Sequence, residues 1–197
     1  MKKKAEERKN QILRAAFQAV STQGYNSVTL QSIADHAGVS KGVVHYYFDN
    51  KEDTLSQLLE WITNKIYKHE LKAVDSESTP LDKLKAYVNS IFVSPEENEK
   101  FYKVYLDFLS QATRNETYRK INHSFYQQCW GITSNIIIFG QETGVFDQSI
   151  DVEKASKTMR SIVDGLLIQW LMSEDINSHE YYKEICYQSF LSLLKLT

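Results

Sequence analysis

The sequence predicts an all-α protein of about nine helices, and three observations carry that expectation. With 7 Gly and 2 Pro in 197 residues there is too little turn chemistry for a sandwich or barrel, which must reverse direction roughly every 8–12 residues. Apolar residues recur at i, i+3 and i+4 along nearly the whole chain. Most of these runs are preceded by a residue suited to cap a helix N-terminus. Hydrophobic residues at 42% and charged ones at 24% supply a sizeable core and argue against disorder.

Element by element, Ile12, Leu13, Ala16, Phe17 and Val20 make one face of a first helix from Glu6 to Gln23, with Gly24 as its stop. Thr29 is a good N-cap for a short second helix, Leu30 to Ala37, whose apolar face is Leu30, Ile33, Ala34 and Ala37. Gly38 supplies the positive φ of a tight turn, Val39 drops towards the core, and Ser40 caps a third helix from Lys41 to about Phe48. Val44 and Phe48, four apart, face inward. Asn50 or Lys51 caps a fourth helix that runs to Ala73, with Glu52 and Asp53 in its first turn, where the macrodipole favours acids. Asp75 to Pro80 is the clearest loop.

Pro80 to Val93 makes a fifth helix. Ser94-Pro95-Glu96-Glu97 reads as N-cap, first-position proline and two acids, starting a sixth that ends near Ala112. A long seventh spans Glu116 to Gln141, Asp151 caps an eighth over Val152 to Met172, and Ser178 caps a ninth running nearly to Thr197. The eighth carries two apolar stripes, Ala155, Met159, Ile162, Leu166 and Trp170, then Val163, Leu167 and Leu171. In the ninth, Ile185, Cys186, Phe190, Leu191, Leu193 and Leu194 are spread around the circumference. One neighbour cannot cover so much apolar surface, which predicts a homodimer through the last two helices.

Charge divides the chain where the helices change character. The formal net charge is −2, yet residues 1–51 hold eight basic side chains against four acidic ones, leaving 15 basic and 21 acidic residues beyond. A basic module of 1–51 on an acidic body of 52–197 suits phosphate binding by the first part and solubility of the second. The third helix, roughly 10 Å long, fits a major groove. It leaves Lys41, Gly42, Val43, His45, Tyr46 and Tyr47 largely free of core duty, and the lysine, histidine and two tyrosines among them are good contacts for phosphates and base edges.

These residues carry a family resemblance. Thr29-Leu30, Ile33-Ala34, Ala37-Gly38-Val39-Ser40-Lys41-Gly42, Val43-Val44-His45-Tyr46-Tyr47-Phe48 and Lys51-Glu52 followed by Leu55 are similar, in order and spacing, to the DNA-binding domain of the TetR family of bacterial helix-turn-helix regulators. The resemblance implies that Lys41 and the Gly42 backbone read base edges and that Tyr46 touches base or phosphate. It implies that Thr29, Ser40, Tyr47 and Lys51 anchor phosphates. His45 departs from the tyrosine usual there, replacing a phenol with a shorter imidazole. The fold implied is an N-terminal helix-turn-helix domain, 1–51, joined to an effector-binding and dimerisation domain, 52–197. The function implied is a repressor that binds a palindromic double-stranded DNA operator as a dimer and is released by a small-molecule effector. The alternative is a DNA-binding dimer without such a ligand, controlled by a protein partner or acting in chromosome organisation.

Phe92, Tyr102, Tyr105, Phe125, Tyr126, Trp130 and Trp170 lie on the helices that surround the family's pocket, with Met159 beside them. Asp107 and Asp164 sit inside apolar stretches, where an unpaired charge is costly; each meets a polar ligand group or, more simply, a neighbouring structural partner. No H-E-x-x-H, G-x-S-x-G, Walker or dinucleotide glycine pattern occurs, and His36, His45, His69, His123 and His179 are scattered, so neither enzyme activity nor a metal or cofactor is expected. Cys129 and Cys186 read as small buried hydrophobes without redox duty. No apolar run approaches a membrane span, and Met1 to Lys4 is followed by charged residues instead of a secretion-signal core, which predicts a cytoplasmic protein.

Overall fold

A computed structural model describes residues 2–173 and 175–195, and each expected run is helical there. Met1 and Thr197, the outer bounds of the two expected domains, lie outside the described residues. α1 (Lys2–Ser27) is broken where the stop was expected: Gly24 has φ 78 and ψ 160, beyond which one more turn follows. An L side chain rarely adopts that conformation. Ile12, Leu13, Ala16 and Val20 are buried, whereas Phe17 is half-buried.

α2 (Leu30–Ala37) opens with a reciprocal cap. The Thr29 hydroxyl accepts from the Ser32 amide at 3.0 Å, and Ser32 Oγ accepts from the Thr29 amide at 2.9 Å. Gly38 ends it at φ 64. Ser40 Oγ then accepts from the Val43 amide at 3.4 Å to start α3 (Lys41–Tyr47). α4 (Lys51–Asp75) is capped by Asn50, whose Oδ1 accepts from the Asp53 amide at 2.9 Å.

α5 (Pro80–Ile91) stops two residues before the expected Val93. Ser94 Oγ caps α6 (Pro95–Ala112) through the Glu97 amide at 3.2 Å. Asn115 caps α7 (Glu116–Glu142), and Asp151 caps α8 (Val152–Met172). Ser178 does not cap α9 (His179–Leu194): a 3-10 turn, Ile176–Ser178, precedes the helix, and Ser178 Oγ donates to the Asp175 carbonyl at 2.6 Å. The tighter turn takes up the hydroxyl a cap would use. No helix is long and apolar enough to cross a membrane among the described residues.

The chain divides into two units by its own packing. The first comprises residues up to Asn64 together with Lys103–Asn122. Within it, the Tyr25 amide, just past the Gly24 break, donates to Asp107 Oδ2 at 3.0 Å. The Tyr25 hydroxyl meets Tyr118 Oη at 3.0 Å and Glu52 Oε2 at 3.1 Å, and the Asn115 amide donates to the other Glu52 oxygen. Phe108 packs edge-on against Tyr25 and Tyr118.

The second unit comprises Lys65–Tyr102 and the chain from His123 onward. Here α9 packs on α5 and α8. Tyr87 stacks on Phe190, and Phe146 folds back over Gly140. α4, α6 and α7 each give residues to both units.

Candidate nucleic-acid interface and interior polar cluster

α3 keeps its two inward residues and exposes the others. Val44 and Phe48 are buried, Val43 and Tyr47 are half-buried, and Lys41, Gly42, His45 and Tyr46 are exposed. Tyr46 is 81% exposed, a large aromatic surface for a folded protein to leave in water. Its ring packs edge-on against Tyr47 with centroids 5.0 Å apart. The hydroxyls of Thr29 and Ser40 accept from backbone amides. The hydroxyl of Ser40 has its proton to give, and that of Thr29 likewise, so each can cap a helix and donate to an anion at once. Lys51 is half-buried: its ammonium donates to the Asn26 carbonyl at 3.1 Å and lies 5.5 Å from the Tyr25 ring centre. Burial lowers its pKa from the usual lysine value.

The second unit holds a polar cluster in its interior. Arg160, 4% exposed, donates through Nη2 to Asp164 Oδ1 at 2.7 Å and through Nη1 to Cys129 Sγ at 3.6 Å. Its guanidinium carbon lies 4.9 Å from the Phe125 ring centre and 5.7 Å from that of Tyr126. The Cys129 thiol donates to Glu70 Oε2 at 3.7 Å. Glu70 is 1% exposed, and burial pushes its carboxyl up to about 7 against the pull of Arg160. The Tyr102 hydroxyl donates to Asp164 Oδ1 at 3.5 Å.

The ten residues expected to line an effector site separate. Tyr102, Phe125, Tyr126 and Asp164 belong to this cluster, and Trp130 extends it by stacking on Tyr126 at 6.1 Å. Phe92 and Trp170 flank His179 instead, whose Nε2 pairs with Asn98 Oδ1 at 2.7 Å. Met159 is buried. Tyr105 and Asp107 lie in the first unit, Tyr105 donating to Asn122 and Asp107 holding the Tyr25 amide. Both aspartates thus have the structural partners that their apolar surroundings demand.

Glu70, Tyr87 and Arg160 escaped the sequence reading. Their signal was positional: Glu70 continues the buried register of Ile62 and Thr63 and precedes buried Val74 by four, and Arg160 lies between buried Met159 and Val163. Cys129 is buried as expected but takes part in hydrogen bonds, and burial drives its thiol far above the usual range; that of Cys186 is pushed up to about 12. Neither is poised as a thiolate. Among the described residues, no group of three or more His, Cys, Asp or Glu side chains could hold a metal ion.

Comparison with known proteins places both parts. Residues 12–58 match the model of bacterial regulatory proteins of the tetR family, and residues 80–194 match that of the C-terminal region of BetI-type transcriptional repressors. The HTH-type transcriptional regulator BetI of Rhizobium meliloti is 25% identical over 82% of this chain and 77% of its own. The HTH-type transcriptional regulator TtgR of Pseudomonas putida is 28% identical over 88% of this chain and 85% of its own. A transcriptional regulator from Saccharomonospora viridis, solved in complex with choline, superposes with a TM-score of 0.86 at 22% identity, covering 98% of this chain and 99% of that one.

Proposed function

We infer, given that the chain belongs to the TetR family of bacterial regulatory proteins, that it represses transcription from a palindromic operator and is released by a small molecule. It is a transcriptional regulator and not an enzyme. The observation that carries the finer reading is α3, which Ser40 caps and which presents Lys41, Gly42, His45 and Tyr46 to solvent. In this reading Lys41 and the Gly42 backbone read base edges, and His45 and Tyr46 meet base or phosphate. Thr29, Ser40, Tyr47 and Lys51 anchor phosphates.

Two copies of α3 about 34–36 Å apart address successive major grooves. Support for a dimer through the last two helices comes from Ile162 and Leu166 on α8 and Ile185 and Leu193 on α9, which stay half-exposed, and from Met172 and Tyr181, which are exposed. Leu194 is fully buried within its own unit and takes no part in that face. The interior cluster of Tyr102, Phe125, Tyr126, Trp130 and Asp164 receives the effector, with Phe92, Met159 and Trp170 as surrounding packing. Choline, the ligand of one structural relative, serves as the comparison compound when candidate effectors are screened.

Selection of random DNA fragments by the purified protein tests this. An inverted repeat with half-sites one turn apart is expected, and selection of no sequence, or of a single half-site, overturns it.

A further inference from the structure

We propose that the interior cluster binds a small monocarboxylate, whose oxygens accept hydrogen bonds from Arg160 Nε and the Tyr87 hydroxyl. This rests on the reading of the second unit as an effector site and names the effector's chemistry. Among the described residues, Arg160 Nε, Tyr87 Oη and Trp170 Nε1 are buried side-chain atoms with no hydrogen-bond partner, and the first two adjoin the cluster. Tyr87 is fully buried, Arg160 nearly so. The Tyr87 phenol feels the charges of Glu70, Cys129, Arg160 and Cys186, which puts it beside the same cluster. A fold rarely leaves two buried groups of this kind unpaired. Both can donate, so the missing group is an acceptor.

The cluster's own cation argues against a cationic ligand. A quaternary ammonium is held by aromatic faces. Here the faces of Phe125 and Tyr126 already carry the Arg160 guanidinium. A second cation would have to displace it or crowd it, and a methylated ammonium accepts no hydrogen bond, leaving Nε and Tyr87 as they are.

Charge decides how an anion enters. The ionisable groups of the cluster are Glu70 on α4, Tyr87 on α5, Tyr102 on α6, Tyr126 and Cys129 on α7, Arg160 and Asp164 on α8, and Cys186 on α9. Arg160 and Asp164 neutralise each other. Glu70 is the group free to change state, because it titrates about neutrality. A carboxylate that enters as Glu70 takes a proton from solvent leaves the buried charge as it was: one anion replaces another.

Calorimetry on the full chain tests this with the straight-chain monocarboxylates from acetate to octanoate, benzoate and choline chloride. Titrations run at pH 6 and pH 8 in buffers of different ionisation enthalpy. At least one carboxylate is expected to bind, taking up about one proton per site at pH 8 and towards none at pH 6. Tyr87→Phe, which deletes an unpaired hydroxyl and should melt like the wild type, is expected to weaken binding about tenfold or more. Glu70→Gln should abolish proton uptake and tighten binding at pH 8. The proposal is overturned if no carboxylate binds, if choline displaces it, or if Tyr87→Phe binds as tightly as wild type. Release from the operator by choline without carboxylate binding overturns this inference and leaves the effector reading standing. A protein that binds carboxylate but selects no DNA does the reverse.

Discussion

Glu70 is the residue whose chemistry departs furthest from its ordinary state. Its carboxyl is pushed from the usual 4.5 up to about 7 by burial, so the folded chain holds the proton more tightly than the unfolded one. Its contribution to stability is therefore greatest below the unfolded value and falls as pH rises towards the folded one, by roughly 3 kcal/mol in all. Gln cannot titrate. Urea unfolding of Glu70→Gln beside the wild type should show the difference moving in the variant's favour by that amount between about pH 4.5 and 7.5. The comparison cancels His179, whose burial lowers its own pKa. A difference flat with pH would show that Glu70 is ionised in the fold.

On the reading helix the predictions separate two lysines. Lys41 is exposed, and Lys41→Ala should relax sequence preference at one position of each half-site, costing about 1–3 kcal/mol there. Lys51→Ala should weaken binding to every sequence and flatten the salt dependence by about one unit per half-site. Binding isotherms on a set of operator variants at several salt concentrations distinguish them, and identical behaviour would refute the assignment. The positions of both lysines were legible because the turn between α2 and α3 is built from local signals, Thr29, Gly38 and Ser40. The partner of Lys51 was not, since Asn26 lies 25 residues away.

At the scale of elements, caps explain why most helix starts were legible. Thr29, Ser40, Asn50, Ser94 and Asp151 each bond an amide three residues on, a relation written in four consecutive letters. Ser178 failed because a 3-10 turn uses the same kind of residue, and only geometry tells the two apart. Within α7, two glycines make a matched prediction. A Cβ on Gly140 would overlap Phe146 Cδ2, on a ring that is 1% exposed, whereas one on Gly131 would meet nothing within 4 Å. Gly140→Ala should destabilise by about 1–3 kcal/mol or more, and Gly131→Ala should stabilise by about 0.5–1 kcal/mol. Thermal melts of the two variants check this; equal shifts would show that Phe146 does not close on Gly140.

At the scale of the molecule, periodicity could say that the two helical stretches within residues 103–122 exist but not which core they join. Tyr105 reads as a pocket residue because its helix surrounds the pocket in the resembling family, and Asp107 because its neighbours on that helix are apolar. The structure spends them on the first unit, where Asp107 holds the Tyr25 amide beside the Gly24 break. Asp107→Ala should therefore weaken operator binding and lower the first unit's resistance to amide exchange, while carboxylate-free unfolding of the second unit is little changed. Asp107→Asn, which keeps an acceptor, should do less. Hydrogen exchange followed by mass spectrometry resolves the two units, and protection lost equally in both would contradict the assignment.

The same partition bears on recombination. A chimera made by grafting residues 1–51 onto another regulator's body would carry Tyr25 away from Asp107, Glu52, Asn115 and Tyr118, the groups that bond or pack against it directly or through Glu52. Specificity in such a hybrid travels with α3, but the scaffold that holds it is encoded in two separate stretches of the gene. A transplant that moves both stretches together keeps those bonds, and a single crossover cuts them.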